Sequence, residues 1–289
     1  MAKVSVCIPT YNYGQFIGAA IESVLRQTLQ DFEIIISDNA SEDDTESIVS
    51  GYASRDTRIR YARNPSNLGM VANWNCCLAL ASGEYVKFLC ADDLLEPDCL
   101  AQLTRLLDSH QTAALASCAR GIITGDSRST YLAFSDKEAA LAGTECIRRM
   151  LVNGNIVGEP TAVMFRRSSA QRGFDEGYQQ LTDMELWLHL LEQGGFVFSP
   201  EILCIYRQHA AMETKKNMKS LRIFTEGRRL FHTYSVKPGV RLGHLERIFC
   251  SVRPLLAFLY CWLYARFSRS NRHIGERSRL RDMSSVKGE

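Results

Sequence analysis

"FEIIISDNASEDDTESIVSGYA", Phe32 to Ala53, decides the fold. Its first six residues are apolar or β-branched enough to read as a strand, Phe32 to Ser37. A polar turn follows, and from Asp43 the apolar positions fall at helical spacing. A strand that passes through a short turn into a helix is half of a parallel crossover unit. Working outward, the alternation repeats. "VSVCI" (Val4 to Ile8), "RIRYA" (Arg58 to Ala62) and "EYVKFLC" (Glu84 to Cys90) read as strands, while "GQFIGAAIESVLRQT" and "MVANWNCCLALA" read as helices. The expected fold class is α/β, a mostly parallel sheet flanked by helices. Ligands of such sheets bind beyond the carboxyl ends of the strands. There the sequence places Tyr11 and Asn12, Asp38 and Asn39, and Asp92 and Asp93.

The composition sets limits. A chain of 289 residues with 46% hydrophobic and 23% charged residues is an ordinary globular protein with room for a sizeable core. A net charge of +2 argues against a dedicated nucleic-acid binder. The ten cysteines show no CxxC pair and no zinc spacing, so they are expected to be reduced core residues of an intracellular protein. "KVSVCIP" near the start lacks the apolar stretch of a secretory signal. No GxGxxG follows the first strand and no GxxxxGK[ST] occurs, which disfavours nicotinamide, flavin and P-loop chemistry.

Three regions are expected. Residues 1–99 form a first half, and residues 100–217 a second half. The second half carries strands "AALASC", "TAVMFRR" and "FVFSPEILCIYR" and helices "KEAALAGTECIRRMLV" and "DMELWLHLLEQG". Residues 218–289 form a helical C-terminal extension. In it "LGHLERIFCSV" is expected to turn Leu242, Leu245, Phe249 and Val252 to one apolar face. "PLLAFLYCWLYA" (Pro254 to Ala265) is too short to span a bilayer. An arginine series follows it, so the segment is expected to lie at an anionic membrane surface, the alternative being a core or homo-oligomer interface.

"KFLCADDLLEPD", Lys87 to Asp98, poses the chemical question. Adjacent carboxylates repel, and removing one from water without a partner costs several kcal/mol. In the bland reading Asp92 caps a helix and Asp93 faces solvent. In the sharper one a divalent cation turns the repulsion into coordination.

"VSVCIPTYN", "FEIIISDNASEDDT", "NLGMVANWNCCLALASGEYVKFLCADD" and "TDMELWLHL" together resemble the family 2 glycosyltransferases of the GT-A fold, over Val4 to His209. The resemblance implies an inverting transferase that moves a sugar from a UDP- or dTDP-sugar donor to a hydroxyl acceptor, a glycan or lipid-linked glycan, in cell-surface glycan synthesis. It implies an active site facing the cytoplasm, with the protein peripheral at the inner face of the membrane. Pro9, Thr10, Tyr11 and Asn12 fall on the family's first nucleotide loop. Asp38 and Asn39 follow, with Asp38 suited to accept the N3–H of uracil or thymine. Gly69 and Asn75 fall on a third nucleotide segment, where Trp74 replaces the arginine of many relatives and is expected to pack. "LCADD" stands where the family carries Asp-x-Asp-Asp. Cys90 replaces the first acid, and Asp92, beside Asp93, keeps the position for Mg²⁺ or Mn²⁺. Asp183, in a Thr182-x-x-Glu185 capping box, falls on the general base, with Asp175 and Glu176 as alternates. "YRQHAAMETKK" (Tyr206 to Lys216) resembles the closing loop, where His209 is a candidate metal ligand and Arg207 or Lys215 could screen phosphate charge. Two rivals remain: an inactive sugar-nucleotide or glycan-binding module of the same fold, and a nucleotidyltransferase, which lacks its glycine-rich phosphate loop here.

Overall fold

A computed structural model describes residues 2–124, 127–209, 222–248, 250 and 252, without the side chains of 127–132. The first half follows the alternation: β1 (Val4–Thr10), α1 (Gly14–Leu25), β2 (Phe32–Asp38), α2 (Thr45–Ala53), β3 (Ile59–Arg63), α3 (Met70–Leu80) and β4 (Tyr85–Phe88). The chain continues through β5 (Leu94–Leu95), α4 (Cys99–Ser109), β6 (Ala113–Thr124), β7 (Ser127–Leu132), β8 (Ala139–Leu141), α5 (Gly143–Asn153), β9 (Val163–Arg166), α6 (Thr182–Leu191), β10 (Gly195–Gln208) and α7 (Arg222–Tyr234).

All these strands join one sheet in the order β3-β2-β1-β4-β9-β6-β10-β5, with β7 on β6 and β8 on β10. The pairs β1/β2, β1/β4, β2/β3 and β6/β10 are parallel. Between the two parallel blocks β9 runs antiparallel to both β4 and β6, so beyond β4 the sheet is mixed rather than mostly parallel. Both faces are covered, which is why β1 and β2 are largely apolar, broken only at Ser5 and Glu33 before their polar ends. Val4, Val6, Ile8, Ile34 and Ile36 pack with Ile17, Ile21 and Leu103 on one face. Cys7, Ile35 and Phe88 pack with Val71, Ile147 and Trp187 on the other.

The connection into β4 is tight. A Cβ on Gly83 would lie 2.7 Å from the Ser5 amide nitrogen and 2.8 Å from its hydroxyl. Gly83→Ala must push β1 away from the turn, and an overpacked site of this kind costs about 1–3 kcal/mol. The variant should melt several degrees lower with its nucleotide affinity intact; an unchanged melting temperature would show that the turn relaxes freely.

Four local expectations need correction. "KEAALAG" is not helical: Ala139–Leu141 is an edge strand on β10, and the helix starts only at Gly143. The strand at β1 runs on through Pro9 and Thr10, so the loop begins at Tyr11. Thr182 and Glu185 form no capping box. The Thr182 hydroxyl donates to the Tyr178 carbonyl, 2.8 Å, and Glu185 is buried against Arg172 and Tyr234. The apolar face of the last helical stretch fails as well, since Leu242 is buried but Leu245 is 80% exposed and Val252 42%. That stretch is instead held by polar contacts, Glu246 to Arg148 and the Cys250 thiol to the Leu151 carbonyl. Pro254 to Ala265, the arginines after it and Lys215 lie outside the described residues. Among the described residues no helix is long and apolar enough to cross a membrane.

The described cysteines are free thiols, and Cys7, Cys77, Cys99, Cys118, Cys146, Cys204 and Cys250 are buried. Trp74 packs as expected, its ring 5.6 Å from that of Phe88 and 5.1 Å from that of Phe174.

Candidate active site

The loops after β1, β2 and β4 and the end of β10 meet along one edge of the sheet. After β1, Tyr11 is 40% exposed. Asn12 has φ 56° and Ala40, on the neighbouring loop, φ 63°. Left-handed backbone is tolerable for asparagine but strained for alanine, and strain of this kind collects at functional loops. The two loops are stitched together, because the Asn12 amide N–H donates to the Ser41 hydroxyl (2.9 Å) and the Asn12 side-chain oxygen accepts from the Glu42 N–H (2.8 Å).

Asp38 ends β2 fully buried. Its Oδ1 accepts from the Ser41 N–H (2.9 Å) and hydroxyl (2.5 Å), and its Oδ2 from the Tyr61 hydroxyl (2.7 Å). Arg63 lies 3.8 Å from the same oxygen. A base N–H reaches Asp38 only where Tyr61 yields Oδ2. Asn39, also buried, holds the 64–69 loop, donating to Asn67 Oδ1 (2.8 Å) and accepting from the Leu68 N–H (2.9 Å). Gly69 takes φ 88° and opens α3, a conformation that favours glycine. Asn73 completes this amide network, accepting from the Ser37 hydroxyl and the Asn64 side chain. Sequence reading missed Asn64 and Asn73, which sit among several asparagines with nothing to single them out.

Asn75 has partners elsewhere. Its side-chain amide donates to the Phe174 carbonyl (3.0 Å) and accepts the Phe174 N–H (2.8 Å), stapling α3 to the 171–178 loop. Both ends of the amide are thereby used within the protein.

The acid pair sits in a turn closed by the Asp93 N–H on the Cys90 carbonyl, 3.0 Å. Asp93 does not face solvent: it is 1% exposed. It accepts from the Thr161 hydroxyl (2.5 Å) and the Arg207 N–H (2.9 Å). Burial, with the charge of Asp92 beside it, holds the Asp93 carboxyl well above the usual carboxylate range. Asp92 is more open, and His209 Nε2 lies 2.8 Å from its Oδ2. Arg207 is engaged as well, its Nε donating to the Asp92 carbonyl (2.9 Å) and its guanidinium lying over Phe16. Donor atoms of Cys90, Asp92 and Asp93 all fall within 4.8 Å of one another. Two carboxylates that repel in a buried turn, with an imidazole nitrogen on one of them, suit a hard divalent cation whose remaining ligands come from phosphate oxygens. The residues fit Mg²⁺ or Mn²⁺.

Asp183 lies in the first turn of α6, half-buried. Its Oδ1 accepts the Met184 N–H (2.7 Å), and the Asn155 side chain reaches its Oδ2 at 3.3 Å. Burial first, and then the charge of Glu159, push its carboxyl up to about 6. The Asp183 charge also reaches the Cys90 thiol, and those of Glu159, Asp92 and Asp93 all reach Tyr206. The two groups of acids are therefore close enough to feel one another's charge. Glu159 itself pairs with Arg120. Neither residue was found by sequence reading, since "GEP" and "CAR" carry no spacing signal. The alternates for the base are employed otherwise: Asp175 accepts from the Gly177 N–H and pairs with Arg229, and Glu176 is exposed.

Comparison with known proteins agrees with this geometry. The sequence profile described as Glycosyl transferase family 2 matches residues 5–174. "Uncharacterized protein MT1568" of Mycobacterium tuberculosis is 32% identical over 246 residues, 81% of this chain and 76% of that protein. The GalNAc(5)-diNAcBac-PP-undecaprenol beta-1,3-glucosyltransferase of Campylobacter jejuni is 38% identical over 119 residues, 41% of this chain and 38% of that protein. Among solved structures, S. aureus TarS 1-349 in complex with UDP-GlcNAc superposes with a TM-score of 0.70 at 18% identity, covering 93% of this chain and 74% of that one. The architecture is that of the GT-A glycosyltransferases, and the chain belongs to Glycosyl transferase family 2.

Proposed function

We propose that this protein is an inverting, metal-dependent glycosyltransferase that uses a UDP- or dTDP-sugar and a hydroxyl acceptor in cell-surface glycan synthesis. One observation carries the reading: a half-buried carboxyl, Asp183, raised to about 6, whose charge reaches Cys90 beside the Asp92–His209 pair. A base poised near neutral pH opposite a cation site is what transfer to a hydroxyl requires.

In this reading residues 1–99 hold the nucleotide, residues 100–217 hold the base and the acceptor, and residues 218–289 form an extension. Tyr11 is open to the base, and Asp38 accepts its N3–H once Tyr61 has given up Oδ2. Asp92, Asp93 and His209 would hold Mg²⁺ or Mn²⁺. Such an ion would supply charge neutralisation for the departing diphosphate. Asp183 takes the proton of the acceptor hydroxyl. The freed oxygen attacks the anomeric carbon from the face opposite the diphosphate. The bond to the diphosphate oxygen breaks, and the nucleoside diphosphate leaves with that electron pair. The name of the C. jejuni relative, which includes a PP-undecaprenol carrier, supports a lipid-linked glycan acceptor. The apolar segment before the C-terminal arginines would then rest on the cytoplasmic, anionic face of the membrane. The replacement of the family's first motif acid by Cys90 favours, as a second reading, a module that binds sugar nucleotides without turning them over.

Release of UDP or dTDP from a panel of nucleotide sugars, with Mn²⁺ and with EDTA, separates the readings. Metal-dependent release is expected for one donor. Binding of UDP without release from any donor would leave the binding module.

A further inference from the structure

Helix α7 lies beyond the matched family segment, yet it grips the start of α6. The two carboxylate oxygens of Glu226, 7% exposed, accept the N–H groups of Gln179, Gln180 and Leu181, each at 2.9 Å. Leu181 immediately precedes α6 and has no side-chain cap bond of its own. A helix start leaves unpaired N–H groups and favours a negative charge. Here Glu226 of another helix adds its charge to that of Asp183 and Glu185 in the first turn. At the far end of α7, the Tyr234 hydroxyl donates to Glu185 Oε1 (2.8 Å) while Arg172 pairs with the same carboxylate. Between them, Arg229 reaches the Gly177 carbonyl at 3.4 Å. The segment that carries Asp183 is thus held from α7 at three points.

We propose that Glu226 is a positioning residue for Asp183, a carboxylate lent by the C-terminal extension that sets the direction and hydration of the base. The proposal rests on the base reading of Asp183. Three converging donors need an acceptor-only group. A glutamine would turn its own NH₂ toward one of them, and an alanine would leave all three to water. With the helix start loosened, Asp183 becomes better hydrated, and its carboxyl moves down toward the ordinary range. The neighbouring Glu159 is paired with Arg120 rather than held by Glu226, so its effect on Asp183 stays.

The test uses the full chain with Glu226→Ala and Glu226→Gln, the latter standing in if the former does not fold. Turnover is read as UDP or dTDP release, binding as Mn²⁺-UDP titration, and the base as the ¹³C titration of the Asp183 carboxyl. Displacement of a catalytic group by about 1 Å costs up to about a hundredfold in rate. Glu226→Ala is expected to lower kcat by about ten- to a hundredfold at nearly unchanged UDP affinity, with Glu226→Gln between it and the wild type. The Asp183 titration and the acidic limb of the kcat profile should both move to lower pH. A folded variant with normal kcat and an unmoved Asp183 titration overturns the proposal. Full activity of Asp183→Asn would instead overturn the base reading, and the ¹³C titration would still report whether Glu226 sets the carboxyl.

Discussion

Asp183→Asn is expected to lower turnover by about two to four orders of magnitude, the usual worth of a positioned general base. UDP affinity should stay nearly unchanged, because the hydrogen bonds of the Asp183 side chain run to Met184 and Asn155, away from the loops after β1 and β2. Burial raises the carboxyl to about 6, so the wild-type base is ionised above that pH. Its rate should fall roughly tenfold per pH unit below it. The stability effect has a definite sign. A carboxyl raised above its unfolded value is ionised in the fold at a cost, and the amide removes that cost at neutral pH. An asparagine oxygen can still accept the Met184 N–H, and only the longer bond from Asn155 is lost. The variant should therefore melt no lower than the wild type while losing its activity. Normal specific activity with a lowered melting temperature would make Asp183 no more than a helix-start acid.

Asp92→Asn is expected to abolish turnover and the gain in UDP affinity that Mn²⁺ brings. The fold should be untouched. Arg207 binds the Asp92 carbonyl rather than its side chain, and an asparagine oxygen can still meet His209. Removing the charge also relieves the buried Asp93, whose carboxyl Asp92 helps to push up. Titration with UDP in the presence and absence of Mn²⁺, beside a melting curve, checks this. Wild-type activity that persists in excess EDTA would sink the assignment of the metal site.

The parts of this molecule that a sequence reader could find are those whose signal is local. Strand and helix periods differ within a few residues, and so β1 to β4 and the helices between them could be read directly. Asp183 and Asp92 were singled out through motifs, each with its neighbours beside it. What stayed hidden rests on partners distant in sequence. Asn75 reads as a nucleotide contact because its local context does, and only folding brings Phe174, 99 residues on, to both ends of its amide. The capping box at Thr182 failed for the same reason: Glu185 is claimed by Arg172 and Tyr234, and the donors before it by Glu226. The bland reading that Asp93 faces solvent fails in the same way. Thr161, 68 positions later, gives it a buried partner.

The place of β9 in the sheet bears on how the chain is made. Its antiparallel slot lies between β4 and β6, and it is filled by Val163–Arg166, about 80 residues after β4 has left the ribosome. At ordinary rates of synthesis the interval is on the order of 5–15 s. Throughout it the β4 edge, with Val86 and Phe88 on one face, is bare to any other unpaired strand. A nascent chain halted before Val163 should be a strong chaperone client, and overproduction should reward slow, cool expression.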